Sequence, residues 1–216
     1  MNFELLRSSI MDINGLHKSI SEEHFMQQNN WNLRKIQVKD VVIGNKISDD
    51  FLLHIEKYYE KLNFVIAYSD FDHEYRLWDG RIRLKQKESV QNKLFYYCKD
   101  HADGKVSLQK CLNDLLGFRL IIDDFNCETE EFKKFMESIE DEFSLMRWYN
   151  RSKQGYVGTH LYFKNGNNLF FPWELQIWNK KHSETNEKSH AEHKAKRGYI
   201  TWPKQYKEGI LRKGDD

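Results

Sequence analysis

A helix-forming pattern is the clearest signal in the first third of the chain. Apolar side chains recur there at steps of three and four residues, which places them on one helical face. They are Leu52, Ile55, Tyr59, Leu62 and Ile66. Asp49 and Asp50 precede them, where a capping oxygen and a negative charge favour a helix start. The pattern predicts a helix from about residue 50. Residues 1–48 are predicted to be irregular, except for a helix that begins near Ser21.

The pattern then changes to alternation of apolar and polar positions. Two alternating runs, at residues 75–77 and 82–84, lie on either side of Asp79-Gly80. An Asp-Gly pair in that setting predicts a β-hairpin. Three further helices are predicted from their first residues, because Ser and Thr side chains commonly cap a helix N-terminus. The predicted caps are Ser89, Ser107 and Thr129.

The second half of the chain predicts a sheet. The short apolar run Leu116–Ile122 suits a buried strand, and residues 145–149 form a weaker one. Residues 157–163 and 171–177 alternate on either side of a turn at Asn165-Gly166. A charged helix is predicted over roughly 182–197. Helices interspersed with strands indicate an α+β fold, in which helices flank a mixed β-sheet of about five strands.

Composition narrows the class of protein. The 216 residues include 34 Lys and Arg against 33 Asp and Glu, a formal net charge of +1. A general polyanion-binding protein is therefore excluded, although a local basic face is not. No apolar run approaches the roughly 20 residues that cross a bilayer. The cysteines Cys98, Cys111 and Cys127 are odd in number and form no Cys-x-x-Cys pair. We expect neither a disulfide framework nor a thiolate zinc site, and a reduced cytoplasmic protein without membrane contact.

Alternation also places polar side chains together on the predicted hairpin. Glu174 and Gln176 alternate with the apolar residues of the last strand, so they share the face turned away from the core. His160 and Tyr162 have the corresponding phase on the preceding strand. This predicts one polar surface on one sheet. The solvated side of an amphipathic hairpin would give the same pattern.

Two charged residues are associated with the predicted strand 116–122. Asp114 precedes the strand, where a carboxylate is well placed to hold Mg²⁺, although a helix end or turn also favours Asp. Arg119 lies inside the strand, and a buried guanidinium needs an anionic partner. That partner is Asp114, another carboxylate or a ligand phosphate.

A basic run precedes the predicted cap at Ser89. Basic side chains alternate with Ile82 and Leu84 here, and Lys93 lies one helical turn beyond the cap. The run suits a triphosphate cradle, since a helix N-terminus also favours anions; a solvated edge strand would look the same. The alternating basic residues are Arg81, Arg83, Lys85 and Lys87. The chain contains no P-loop, no Rossmann glycine motif and no His-Glu-x-x-His, so His182, His190 and His193 are not expected to hold a metal.

The order and spacing of these elements resemble the synthetase domain of RelA/SpoT-type enzymes, in the single-domain form called small alarmone synthetases. The similar stretch runs from about residue 75 to 196. Arg83-x-Lys85-x-x-x-Ser89-x-x-x-Lys93 resembles the family's ATP-binding element, and Asp114-(x)4-Arg119 its first acidic element. Gly155-Tyr156-Val-Gly-Thr-His160 resembles the family's acceptor loop, and Glu174-Leu-Gln176 resembles its second acidic element. Glu192-His193-Lys194-Ala-Lys196 resembles its closing helix.

The resemblance implies a nucleotidyltransferase-like domain and a transferase that moves the β,γ-pyrophosphate of ATP to a ribose 3′-OH. It implies that Asp114 and Glu174 are catalytic and bind Mg²⁺, and that Glu174 also accepts the hydroxyl proton. The implied ATP-binding residues are Arg83, Lys85, Ser89, Lys93 and Arg119. The implied acceptor-binding residues are Tyr156, whose ring would stack on a base, His160, Gln176 and Lys153.

Departures from the family pattern fall on the acceptor side. Gln154 stands where the family commonly has Asn, and Val157 and Trp178 stand where it commonly has Arg. We favour the 3′-terminal adenosine of tRNA as acceptor, as in the toxin members of toxin–antitoxin pairs, which implies an antitoxin protein as partner. GDP or GTP, giving the alarmone (p)ppGpp of the stringent response, is the alternative. An inactive nucleotide- or partner-binding module is the second alternative.

The expected organisation has three parts. Residues 1–70 form an N-terminal helical extension packed on the domain, residues 71–200 the synthetase-like domain, and residues 201–216 a basic aromatic tail. The basic residues near the C-terminus, interleaved with aromatic rings, suit an RNA backbone or simply a solvated terminus. They are Lys194, Lys196, Arg197, Lys204, Lys207, Arg212 and Lys213, with Tyr199, Trp202 and Tyr206.

Overall fold

The computed structural model describes residues 1–25, 31–67, 74–99 and 101–196, and the fold is α+β as predicted. The helices are α1 (Phe3–Phe25), α2 (Val38–Val41), α3 (Asp49–Ala67), α4 (Lys87–Lys99), α5 (Leu108–Cys111), α6 (Glu130–Glu140) and α7 (Ser183–Lys196). The strands are β1 (Val42–Ile43), β2 (Lys46–Ile47), β3 (Arg81–Leu84), β4 (Leu116–Ile122), β5 (Leu145–Lys153), β6 (Tyr156–Phe163) and β7 (Trp173–Asn179). The basic tail beyond residue 196 lies outside the described residues.

Five strands form one mixed sheet in the order β3-β4-β7-β6-β5, while β1 and β2 make a separate small hairpin. Within the sheet β4 and β7 are parallel, and the other neighbours are antiparallel. The register aligns side chains in rows across the strands. One row comprises Arg83, Gly117, Glu174, Tyr162 and Arg147, and the next comprises Arg81, Arg119, Gln176, His160 and Tyr149. Because paired residues point to the same face, both rows lie on one side of the sheet.

The opposite side of the sheet packs on the hydrophobic core. Trp173, Leu175 and Ile177 are fully buried there, as their alternation predicts. Leu6 of α1 and Tyr58 of α3 belong to the same core, so the N-terminal helices and the sheet are packed together. The polar side of β6 and β7 is also buried, and α7 covers it at Tyr156 and Trp178, where the His190 ring packs on both side chains. The predicted polar surface is therefore an interior one and not a solvated one.

Helix α7 is fixed to the start of β6 mainly by the side chain of Asn186. Asn186 is fully buried; its amide nitrogen donates to the Val157 carbonyl at 2.7 Å, and its oxygen accepts from the Val157 N–H at 2.8 Å. The Ser189 hydroxyl adds a bond to the Gln154 carbonyl at 3.3 Å. Val157 lies before the stretch of β6 that pairs with β7, so Asn186 satisfies backbone groups of Val157 that have no partner on that strand. The same hydrogen bonds hold α7 over the sheet.

The expectation of an irregular N-terminus is wrong, since α1 begins at Phe3. Its buried face includes Leu6, Ile10, Ile13 and Ile20, but His17 occupies the position at which an apolar residue would complete the period. His17 is buried and its Nε2 donates to the Phe171 carbonyl at 2.7 Å. A hydrogen-bonded histidine thus stands where the pattern called for an apolar residue, and this masks the helical period in the sequence.

The hairpin expected around Asp79-Gly80 is also wrong. Residues Arg76–Trp78 form a 3₁₀ turn, Asp79 adopts a left-handed backbone (φ 40°), and β3 pairs with β4 instead of with an upstream strand. Ser89 is not a cap, because α4 already begins at Lys87.

Ser107 and Thr129 are caps as predicted. They accept from the backbone N–H groups of Lys110 and Phe132 at 3.4 and 3.3 Å. Strand β5 extends four residues past the predicted 145–149. Within the described ranges, no helix has both the length and the apolar character that crossing a bilayer requires.

Candidate active site

A cleft of about 430 Å³ lies between the polar rows of the sheet and α7. The sheet and the start of α4 contribute six residues that the sequence analysis singled out. They are Arg81, Arg83, Ser89, Arg119, Glu174 and Gln176. Helix α7 contributes Glu187 and His190 from the opposite side. The cleft therefore gathers residues from distant parts of the chain at the expected place on the sheet.

Glu174 is the central carboxylate of the cleft and only 7% exposed. Its Oε1 accepts from His160 Nδ1 at 2.8 Å and from the Tyr162 hydroxyl at 2.7 Å, and its Oε2 accepts from Gln176 Nε2 at 2.8 Å. Burial alone would raise the pKa of Glu174. The hydrogen bond and the electrostatic interaction with His160, together with the hydrogen bond from Tyr162, outweigh burial and hold the pKa of Glu174 below its ordinary value. Glu174 is thus an ionised, fully oriented carboxylate at neutral pH.

The two oxygens of Glu174 have different surroundings. Oε1 is occupied by two donors, whereas Oε2 has one donor and borders the space above Gly117. A methyl group at Gly117 would lie 3.9 Å from Oε2. The missing side chain at Gly117 leaves Oε2 open to the cleft, so Oε2 is the oxygen that a bound molecule can reach.

Asp114 lies two residues before β4, as predicted, and is held by two ammonium groups. Lys85 Nζ lies 2.7 Å from Oδ2, and Lys93 Nζ lies 3.0 Å from Oδ1. Burial raises the pKa of Asp114, but the charges of Lys93 and Lys85 outweigh burial and keep it well below its usual range. The Asp114 charge also raises the pKa of Glu174, so the two carboxylates interact. Asp114 and two of the predicted ATP-binding residues, Lys85 and Lys93, therefore form one cluster, which does not line the cleft but lies close enough for Asp114 to affect the pKa of Glu174.

Arg119 finds its anionic partner in another carboxylate, that of Glu187 on α7. Arg119 Nη1 lies 2.8 Å from Glu187 Oε1, and Arg81 Nη1 lies 3.4 Å from the same oxygen. The Arg119 guanidinium also stacks on the Trp178 ring, 3.6 Å from its centroid. Its Nε is buried and has no hydrogen-bond partner among the described residues, and the same is true of Gln176 Oε1. Two residues that line the cleft thus each have one buried polar atom without a partner.

The acceptor-side prediction for Tyr156 needs a correction. We expected a ring open for stacking, but Tyr156 is 4% exposed and has His190 against its ring at 5.1 Å between centroids. Its hydroxyl contacts Trp178 Nε1 at 3.0 Å and His160 Nε2 at 2.8 Å. The ring has no free face because α7 covers this side of the sheet. Tyr156 lies on the same face of β6 as His160 and Tyr162, and its burial was not predicted.

An exposed basic strip on β5, comprising Arg147, Tyr149, Arg151 and Lys153, continues the same face of the sheet. Only Lys153 was predicted. Tyr149 is 37% exposed and stacks parallel on His160, with centroids 5.5 Å apart. The three cations form no ion pair with any described carboxylate. Their alternation in the sequence, Arg-x-Tyr-x-Arg-x-Lys, was the available signal.

The predicted Mg²⁺ ligands fit the ion by their chemistry. Mg²⁺ commonly binds one or two carboxylates and completes its shell with water and substrate phosphates. Asp114 and Glu174 provide two interacting carboxylates of that kind. In the part of the chain that the structure describes, no three His, Cys, Asp or Glu side chains converge into a metal site. Any Mg²⁺ here would therefore depend on substrate oxygens for its remaining ligands.

Comparison with known proteins identifies no relative of this chain. No protein-family model matches the chain, and no curated protein matches its sequence. A function for this chain is consequently argued from the geometry of the cleft.

Proposed function

We propose that this protein is an ATP-dependent pyrophosphokinase, which transfers the β,γ-pyrophosphate of ATP to a ribose 3′-OH. The observation that carries the proposal is the cleft in which an oriented Glu174 faces Arg83 and Arg119, with the Asp114 carboxylate close enough to affect the pKa of Glu174. Transfer of a phosphoryl-type group needs mainly positioning and neutralisation of charge. Glu174 in the cleft can position the acceptor hydroxyl, and the cations Arg83 and Arg119 can neutralise phosphate charge.

Cations from three elements provide the donor side of the proposal. Arg83 from β3 and Arg119 from β4 face the cleft, and Ser89 lies in the first turn of α4. Lys85 and Lys93 are adjacent, on Asp114. The phosphates of ATP would replace the Glu187 carboxylate on Arg119 and would share the lysines with Asp114. The buried Arg119 Nε is then available to donate to a phosphate oxygen.

Asp114 and Glu174 would hold the Mg²⁺ that accompanies ATP, and bound Mg²⁺ would neutralise charge on the phosphates. Glu174 Oε2 would accept the proton of the acceptor hydroxyl. The hydroxyl oxygen forms a bond to the β-phosphorus, the bond from that phosphorus to the bridging oxygen of AMP breaks, and AMP leaves. Gln176, which donates to Oε2, keeps that oxygen in place during the transfer.

The basic strip on β5 favours an RNA acceptor. Strand residues rise about 3.3 Å each, so the strip from Arg147 to Lys153 extends roughly 20 Å. That length exceeds the phosphates of one nucleoside diphosphate and suits consecutive phosphates of a nucleic acid strand. Tyr149 adds an exposed ring for base stacking, worth about 1–3 kcal/mol per base. The 3′-terminal adenosine of tRNA is the acceptor that we propose, with an antitoxin protein as cellular partner and the cytoplasm as location.

Two alternatives make different predictions. GDP or GTP as acceptor would use only the part of the strip nearest Glu174. An inactive nucleotide- or partner-binding module would leave ATP unchanged. The buried carboxylate of Glu174 favours an enzyme over this module, because burial of charge is costly unless the charge is used or well paired.

Incubation with ATP labelled at its terminal phosphate tests the proposal. GDP, GTP and bulk tRNA are offered separately, and formation of AMP is measured in parallel. We expect label on tRNA, none on tRNA whose terminal ribose has been oxidised with periodate, and none with Glu174→Gln. Label on GDP or GTP alone would support alarmone synthesis. Absence of AMP with every acceptor would refute pyrophosphate transfer.

A further inference from the structure

Three buried side chains form a continuous hydrogen-bonded chain behind Glu174. Trp178 Nε1 lies 3.0 Å from the Tyr156 hydroxyl, and that hydroxyl lies 2.8 Å from His160 Nε2. His160 Nδ1 in turn lies 2.8 Å from Glu174 Oε1. These hydrogen bonds therefore connect Trp178, near the end of β7, through Tyr156 at the start of β6 and His160, to the Glu174 carboxylate.

The chemistry of the groups gives this chain one direction. An indole N–H can only donate, so Tyr156 accepts from Trp178, and an ionised carboxylate can only accept, so His160 Nδ1 carries a proton. When the His160 ring is neutral, its Nε2 can only accept, and the Tyr156 proton is directed to it. Nδ1 then donates to Glu174 Oε1. Every donor in the chain points toward the carboxylate.

The surroundings of the chain are shaped to keep it in place. A Cβ at Gly158 would lie 2.6 Å from the Tyr156 hydroxyl and 2.9 Å from the Trp178 ring, so only glycine leaves room for their contact. The Trp178 ring is held from its face by the Arg119 guanidinium at 3.6 Å. Tyr149 stacks on the His160 ring with an angle of 6° between the planes. Each ring is thus fixed by a neighbour as well as by its hydrogen bonds.

We infer that Trp178, Tyr156 and His160 are positioning residues, which hold Glu174 by Oε1 and thereby turn Oε2 to the acceptor hydroxyl. The inference rests on the proposed function and adds three residues to it. It also gives a role to position 178, where the sequence departs from the family pattern.

Phenylalanine variants separate the hydrogen bonds from the packing. Trp178→Phe keeps a ring under Arg119 but removes the donor, and Tyr156→Phe removes the hydroxyl that contacts His160 Nε2. Trp173→Phe is the matched control. It lies on the same strand and also loses an indole hydrogen bond, to Asn14 at 3.2 Å, but it faces the core. The readouts are kcat and KM for pyrophosphate transfer and the ¹⁵N spectrum of the His160 ring, assigned with a His160→Gln variant.

We expect wild-type His160 to carry its proton on Nδ1, and Tyr156→Phe to keep that proton on Nδ1 but shift the Nε2 resonance, because Nε2 loses its donor. Loss of one hydrogen bond should lower kcat about 2- to 10-fold in Trp178→Phe. Tyr156→Phe leaves buried Nε2 without a donor and should lower kcat about 5- to 100-fold. KM for ATP should change little in both. Trp173→Phe should lower only the melting temperature.

Two results would overturn the inference. One is an Nε2–H tautomer in the wild-type protein. The other is a fall in kcat for Trp173→Phe equal to that for Trp178→Phe, since that would reflect general loosening of the sheet. Failure of the proposed function looks different. In that case the wild-type protein shows the expected His160 spectrum but transfers no pyrophosphate to any acceptor.

Discussion

Glu187→Gln should increase the affinity of the protein for ATP, although it removes a charged contact inside the cleft. In the structure one oxygen of Glu187 is shared by Arg119, at 2.8 Å, and Arg81, at 3.4 Å. A carboxylate on these arginines occupies the place that a phosphate would take. Replacing it with a neutral amide of the same shape removes this competition and leaves the helix backbone undisturbed.

The expected gain follows from the exposure of the ion pair. The Glu187 side chain is 49% exposed, so solvent screens much of its attraction, whereas that of Arg119 is 12% exposed. Exposed ion pairs contribute about 0.2–1 kcal/mol, and the burial of Arg119 places this one near the upper end. A difference of about 1 kcal/mol corresponds to roughly 5-fold tighter binding of ATP.

Calorimetric titration with a non-hydrolysable ATP analogue measures this effect without any acceptor. Glu184→Gln is the control, because it makes the same change of charge on the same helix, and Glu184 has no contact with the two arginines among the described ion pairs. Glu184→Gln should bind the analogue like the wild-type protein. Weaker binding by Glu187→Gln would refute the reasoning, since it would mean that Glu187 orients the arginines for ATP instead of competing with it.

Glu174→Gln should reduce pyrophosphate transfer about 10²- to 10⁴-fold, and transfer above a tenth of the wild-type rate would contradict this. The same variant should lower the free energy of unfolding by about 1–3 kcal/mol, because the new amide NH₂ would face a hydrogen-bond donor. Gly158→Ala should lower the free energy of unfolding in urea titrations by about 1–3 kcal/mol through overpacking. Gly15→Ala, where nothing lies within 4 Å, is the control and should cause no loss. Stability should fall as the pH decreases from about 6.5 to 4, by roughly 1.4 kcal/mol per pH unit for each buried histidine. Burial lowers the pKa of His17 and of His24 to about 4, so the unfolded chain binds more protons in this window; equal urea midpoints at pH 7 and pH 5 would disprove it.

The central pair of the site could be predicted because strand periodicity is local. Alternation alone placed Glu174 and His160 on the same face of adjacent strands, and their side chains are 2.8 Å apart. The position of Asp114 before β4 followed from the apolar run after it. Neither prediction required knowledge of which strands pair, since a hairpin joins β6 and β7 and a short turn separates Asp114 from its strand.

Other parts of the fold and site depend on contacts between distant segments, which leave no local pattern. Strand β3 pairs with β4, more than 30 positions away in the sequence, so the Asp-Gly signal at 79–80 indicated a turn but not its strand partner. Glu187 is one of three glutamates on α7, and nothing in the sequence distinguishes it from Glu184 or Glu192. Its role appears only when α7 is docked on the sheet by Asn186.

The sequence pattern alone does not distinguish a buried polar face of a sheet from a solvated one. A solvated face and a covered active-site face both alternate polar and apolar residues, and they differ in whether the polar groups must satisfy one another. Glu174 is buried and receives three hydrogen bonds from side chains of its own face, from His160, Tyr162 and Gln176. A buried ion of this kind costs several kcal/mol in desolvation, and apolar residues of similar volume are often at least as stable. Packing alone therefore gives no reason for a carboxylate at position 174, whereas a reaction that needs a fixed negative charge beside bound phosphates does.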